Sequence, residues 1–253
     1  MTFPDGYTTV VPMRRTLHLL VILTAAASVF LSCSGKLAKQ TGLTDSDLFS
    51  GGQQKLAKKK YGSAIEHFQV LLERFPTSPL APRAQLALAD AHMENEDNVE
   101  AEVGYDDFLR LYPANDNVPY ALFRKGELLF RQMSKPGRDQ TKTIEAIRTY
   151  RLLLEKYPSG PHAVPAARRV AELRNRLSEN EIAVVSHYLT RKKFDSAEAR
   201  ARRAVADYPD TTSLPSLMSL MAQALDRQGK KEEAAEVRKS LREKFPGGGD
   251  KKR

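Results

Sequence analysis

The chain has 253 residues, of which 40 are Lys or Arg and 31 are Asp or Glu, with one Cys and no Trp. Its 41% hydrophobic and 28% charged residues are those of an ordinary folded chain, which excludes disorder throughout. A single cysteine excludes an internal disulfide and any cysteine-rich metal framework. The net charge of +9 calls for acidic partners without choosing among nucleic acid, anionic lipid and protein.

In chain order, the first feature is Met13-Arg14-Arg15 followed by an apolar stretch from Leu17 to Leu31, broken only by His18, Thr24 and Ser28. A basic start, an apolar run too short to span comfortably and small residues at its end read as an export signal over residues 1–32. Residues 1–12 fit no signal pattern, which offers Met13 as an alternative start. The run ends in Phe30-Leu31-Ser32-Cys33, which resembles a bacterial lipobox with Phe30 where Leu is usual. Cys33 is therefore expected to carry lipid, and several acyl chains make a stable anchor where one does not. Ser34, where an Asp would retain the protein at the inner membrane, favours outer-membrane sorting. An exported chain meets no genome, so nucleic acid drops out as a partner.

Residues 33–44 then read as the lipidated N-terminus and a linker. A helix is expected near Asp47–Lys58, with Asp45 or Ser46 as its cap. Further apolar-periodic helices fall at Ala81–Asn95, Val118–Met133 and Leu214–Gln228, the last stopped by Gly229. Between them an aromatic-Pro pair recurs at Phe75-Pro76, Tyr112-Pro113, Tyr157-Pro158, Tyr208-Pro209 and Phe245-Pro246. Eight residues before each Pro stands Phe68, Tyr105, Tyr150, Ala201 or Arg238, and four before that always Ala: Ala64, Ala101, Ala146, Ala197 and Ala234. This is the second half of the tetratricopeptide repeat (TPR) pattern. Ala lies where two helices cross, the aromatic fills the space beside it, and Pro ends the helix.

Successive prolines are 37, 45, 51 and 37 residues apart. The 45-residue interval places an insertion between the helices of the third repeat, around Ser134–Thr141. The longest interval makes Val164–Lys193 one long helix, or two abutting near Ser178-Glu179-Asn180, projecting beyond the regular solenoid. The fold class is all-α: a TPR solenoid of about five helix-turn-helix repeats over residues 45–246, with an elongated helical fourth repeat and a disordered tail at 247–253.

Chemistry has little to stand on. The histidines are scattered, no His-Glu-x-x-His or Gly-x-Ser-x-Gly occurs, and Gly51-Gly52 lack the context of a phosphate loop. Asp90, His92, Glu94 and Glu96 have metal-ligand chemistry but continue into an acidic turn, so they read as solvated. No catalytic residue, no metal and no cofactor beyond the lipid on Cys33 are expected. Charge is uneven: Asp90–Asp107 holds eight acidic residues and no Lys or Arg, whereas Arg168–Arg203 holds ten basic residues against five acidic. Arginine stretches suit carboxylate-bearing partners, although charged helices often only keep a surface wet.

The segments Asp107–Pro113, Asn117–Leu122 and Arg138–Thr141 resemble BamD, the TPR lipoprotein family of the bacterial β-barrel assembly machinery. So does the irregular fourth repeat, running from Leu173–Leu177 through Glu181, Val184 and Tyr188 to Asp207–Thr211. The resemblance implies a non-catalytic lipoprotein on the periplasmic face of the outer membrane in a Gram-negative bacterium. It implies that the C-terminal repeats hold the last POTRA domain of the barrel protein BamA, and that other assembly lipoproteins join. It also implies that N-terminal repeats receive unfolded outer-membrane proteins. The BamA-contacting arginine falls on Arg200, beside Arg202 and Arg203, of which Arg203 is the second contact expected. Leu80, His92 and Met93 stand where the family has aromatics, and the insertion before Arg138 is short, so substrate recognition is expected to differ there. A competing class is a TPR lipoprotein adaptor for pilus assembly or cell division, which shares the repeat but not the elongated fourth one.

Overall fold

A computed structural model gives the structure of residue 40 and residues 42–246. The signal segment, Cys33 and the 247–253 tail lie outside the described residues. Ten α-helices and no strand occur among the described residues. They are α1 (Asp45–Ala57), α2 (Tyr61–Arg74), α3 (Ala81–Glu94), α4 (Asn98–Leu111), α5 (Val118–Arg131), α6 (Thr141–Lys156), α7 (Ala163–Thr190), α8 (Phe194–Asp207), α9 (Leu214–Arg227) and α10 (Lys231–Lys244). Each helix packs on the next in sequence, and consecutive pairs form the five hairpins of a TPR stack.

The repeat residues behave as their chemistry requires. Ala64, Ala101, Ala146, Ala197 and Ala234 are all fully buried, as are Phe68, Tyr105 and Tyr150. Burying an aromatic of this size contributes about 1.5–3 kcal/mol, so the first three repeats carry the heavier core. In the last two copies Ala201 is buried, while Arg238 leaves the core to pair with Asp226. Each aromatic before Pro is the C-cap of its helix, at φ between −126° and −136°, because proline disfavours helix for the residue before it. Two glycines make the aromatic packing fit. A Cβ on Gly52 would lie 2.5 Å from the Phe68 ring, and one on Gly126 would lie 2.5 Å from the Tyr150 ring.

The turns inside four of the five hairpins share one geometry. Lys59, Glu96, Lys192 and Gly229 each stand two residues past a helix end with φ between 55° and 81°. The residue after each donates its N–H back to the helix: Lys60 to Lys55, Asp97 to His92, Lys193 to Tyr188 and Lys230 to Leu225, at 2.9–3.0 Å. This is the Schellman stop, in which glycine is the usual left-handed residue. Only Gly229 announces it in the sequence.

At the start of α1 the cap is Thr44, not Asp45 or Ser46. Thr44 Oγ1 accepts the N–H of Asp47 at 3.1 Å, and the Asp47 carboxylate accepts the N–H of Thr44 at 3.0 Å. Both orphan donors are satisfied reciprocally, so the helix starts at Asp45. Leu43, expected in the linker, packs on the first core.

The first helix of the fourth repeat, α7, is uninterrupted over 28 residues. Its polar stretch near residue 178 does not break it, because those residues have partners. Ser178 is buried and returns its hydroxyl to the Asn175 carbonyl at 2.7 Å. Asn180 accepts the N–H of Gly137 at 2.8 Å, which docks the α5–α6 insertion against mid-helix. The N-terminal half of α7 lies in one core through Ala166 and Leu173, with Tyr150 and Leu153. Its C-terminal half lies in another through Val185, with Ala197, Ala201 and Leu225. The helix thus extends beyond α6 as expected, but its far half is covered by α8 and α9 and joins two parts of the stack.

Candidate functional site

Three arrangements could do work on this scaffold. The first is the arginine face of α8. Ala197, Ala201 and Ala204 turn inward and are buried, which leaves Arg200, Arg202 and Arg203 toward the outer side. Arg200 forms a two-pronged pair with Glu181 of α7, through Nε to Oε2 and Nη2 to Oε1, the latter at 2.7 Å. Glu181 is well covered, with its side chain 12% exposed against 42% for Arg200. The Glu181 hydrogen bond pushes the Arg200 guanidinium further above its ordinary pKa against the cost of burial. This fixes the guanidinium plane and leaves Nη1 for another acceptor. Arg203 is 78% exposed and held only by a loose 3.5 Å pair with Asp207 one turn on. Arg202 is committed to Glu198 at 2.7 Å and to Glu233 at 3.3 Å. The two arginines singled out from sequence therefore share a helix but differ in state: one clamped, one free to move.

The second is a groove of about 380 Å³ between α3 and α4. Leu88 and His92 line one side, Val99, Val103 and Gly104 the other, with Glu100 and Asp107 on the rim. Val99 is 71% exposed and Val103 54%, unusual for valines in so short a helix. His92 belongs to this groove and its Nδ1 lies 3.1 Å from the Asp97 carboxylate. Met93 does not belong to it: it is buried beside the Tyr105 hydroxyl. Leu80 sits half-buried just before α3. Of the three departures from the family's aromatics, only His92 lines the groove.

The third was not foreseen. Asp90 and Glu94, expected to be solvated, are structural, while Glu96 is exposed. Asp90 accepts Tyr105 Oη at 2.5 Å, Tyr120 Oη at 2.6 Å and Arg124 Nε at 2.8 Å. Arg124 also reaches Glu94 at 2.9 Å. The same design recurs one repeat later. Glu127 accepts Tyr150 Oη at 2.5 Å and two bonds from Arg169, at 2.7 and 2.9 Å. In both, a carboxylate on a first helix holds the tyrosine of its own hairpin and an arginine of the next. Burial, reinforced by the neighbouring carboxylates, pushes Tyr105, Tyr120 and Tyr150 far above the ordinary tyrosine range. Burial also works to raise Glu127, but hydrogen bonds from Arg169 and Tyr150 outweigh it and hold the carboxyl below its usual range. Glu94 is lowered chiefly by Arg124. In both, the carboxylate directly follows a small residue that faces the second helix, Ala89 against Gly104 and Gly126 against Tyr150.

Chemically these arrangements bind and brace. With Asp90 and Glu94 turned to Arg124, no group of three metal-ligating side chains forms among the described residues. No helix among them is long and apolar enough to cross a membrane.

Residues 42–241 match the family model YfiO, described as outer membrane lipoprotein. The chain belongs to the YfiO family. Among curated relatives, the outer membrane protein assembly factor BamD of Neisseria meningitidis serogroup A is 27% identical over 243 residues, covering 89% of this chain and 91% of its own. The BamD of Caulobacter vibrioides is 26% identical, covering 92% of this chain and 77% of its own. Among solved structures, the TPR2AB domain of yeast Sti1 in complex with pHSP90 covers 80% of this chain at 16% identity and a TM-score of 0.46. The long fourth-repeat helix and its following turn, the segment that carried the resemblance, lie within the YfiO match.

Proposed function

We propose that this YfiO-family chain is a non-catalytic scaffold in outer-membrane protein assembly, anchored in the outer membrane through lipid on Cys33. Its C-terminal repeats dock a BamA-like barrel protein through the last POTRA domain, with Arg200 and Arg203 as the contact. Its N-terminal repeats receive unfolded outer-membrane proteins, for which the α3–α4 groove with exposed Val99 and Val103 is the apolar surface available. Other assembly lipoproteins share the complex, and no cofactor is needed.

The observation that carries this reading is the state of the α8 arginines. Arg200 is preset by Glu181 with donors to spare, and Arg203 beside it is held only by the 3.5 Å pair with Asp207. A planar guanidinium held in place loses less entropy on meeting a carboxylate than one that must first be ordered.

The test is co-purification from detergent-solubilised outer membranes. Arg203→Glu reverses a side chain without a strong partner in the chain and is expected to lower barrel-protein recovery about ten-fold. Arg200→Ala should do likewise, whereas Arg200→Glu would also repel Glu181 and is the poorer variant. Full recovery with both Arg203→Glu and Arg200→Ala would show the assignment to be wrong.

A further inference from the structure

Two adjoining hollows open where α7 turns into α8. The larger, about 590 Å³, has Leu189, Phe194 and Leu220 among its walls, with Lys192 and Arg227 beside them. The second, about 490 Å³, shares Lys192 and Phe194 with the first and adds Lys193 and Lys230. Together they form one cleft with an apolar floor and a cationic rim. Lys230 is committed to Glu198 at 2.8 Å. Lys192, Lys193 and Arg227 have no ion-pair partner among the described residues. Asp195 is the one carboxylate on the rim.

The backbone bears on how residue 192 can be changed. Lys192 has φ 56°, at the position that Gly229 fills in the last hairpin. A side chain there costs on the order of 1 kcal/mol relative to glycine. Lys59 and Glu96 meet the same cost at the same position of their hairpins, so the turn does not single out residue 192; it makes Gly a substitution the backbone there accepts.

We infer that this cleft docks an extended acidic segment of a partner protein. Its carboxylates lie on Lys192, Lys193 and Arg227, and one apolar side chain rests on Phe194, Leu189 and Leu220. Charge complementarity selects an acidic occupant, and the concave apolar floor selects a side chain over a flat layer of lipid headgroups. The chain's own last residues, Gly-Gly-Gly-Asp-Lys-Lys-Arg, carry the wrong charge for it. The site is separate from the arginine contact proposed above, about 9 Å along α8 from Arg200, and does not depend on it.

The probe is a fluorescein-labelled peptide, Asp-Asp-Phe-Asp-Asp, titrated by polarisation against the full chain in mild detergent at about 50 mM salt. Saturable binding is expected, weakened about five-fold or more by Lys192→Gly combined with Lys193→Gln. Lys192→Gly alone is expected to weaken binding while leaving the melting temperature unchanged or higher, since glycine relieves the turn. A lysine with only a structural role could not give that split. Absence of binding, indifference to these variants, or equal binding of Asp-Asp-Ala-Asp-Asp would overturn the inference. Lysine-dependent binding to phosphatidylglycerol vesicles without peptide binding would overturn it too, in favour of a membrane contact.

Discussion

Replacing Glu127 by Gln tests whether the carboxylate ladder couples neighbouring repeats. Glu127 sits on α5 and receives Tyr150 of α6 at 2.5 Å and Arg169 of α7 at 2.7 and 2.9 Å. Glutamine keeps the shape but removes the charge, turning three charge-assisted bonds into weaker or mismatched ones. Bonds to charged groups contribute about 1.5–3 kcal/mol net each, and Arg169 keeps partial compensation from Glu172 and the Phe130 ring. Arg169 is a third exposed, so water replaces part of what is lost. The expected cost is about 2 kcal/mol, or roughly 4–8 °C in melting temperature for a domain of this size.

The pH dependence sharpens this prediction. The folded pKa of Glu127 lies below the ordinary glutamate value of 4.5. The carboxylate therefore contributes stability that is fully present above that value and is lost as pH falls through the folded pKa. The gap in melting temperature between wild type and Glu127→Gln should be full at pH 7 and shrink at an acid pH, below the folded pKa of Glu127. Other titrating carboxylates are common to both proteins and cancel in the difference. Thermal unfolding by circular dichroism reads it directly. A gap under about 1 °C at pH 7, or an equal gap at both pH values, would refute the ladder.

Two more outcomes follow from the same packing. Gly126→Ala drives a methyl into a ring that Glu127 holds by its hydroxyl, and is expected to destabilise by about 2 kcal/mol despite alanine's better helix propensity. Adding Tyr150→Phe should recover part of that loss by letting the ring shift, which a melting curve of the double variant will show. Arg174→Ala removes the bonds to Asp210 and to the Asp207 carbonyl, the latter 2.9 Å long. Hydrogen exchange should then quicken across the turn at 207–213 while α7 itself stays protected.

Much of the fold could be read directly from residue spacing. The five Ala positions and the aromatic-Pro pairs place the second helices, because a crossing that admits only Ala and a helix that must stop at Pro leave few alternatives. The ladder was hidden because Asp90 and Glu94 look like surface acids until the partners Tyr120 and Arg124, some 30 residues away, arrive on the next hairpin. Thr44-x-x-Asp47 was a readable capping box, overlooked beside two nearer candidates. The left-handed Lys59 and Lys192 could not be read, since only glycine signals that conformation. The Arg200 and Arg203 pair was legible through family resemblance, whereas the Arg200 clamp on Glu181 required the long helix to be in place. The α7–α8 cleft joins residues from three helices, a proximity that local spacing does not encode.

The proposed role is that of a scaffold joined to a barrel-assembly protein. The most direct measurement is a pull-down of the tagged, full-length chain from outer membranes in mild detergent, carried through a salt wash, with quantitative identification of what remains. The expected result is a BamA-like barrel protein at near-equal stoichiometry. Recovery of pilus or division proteins without that barrel would contradict it.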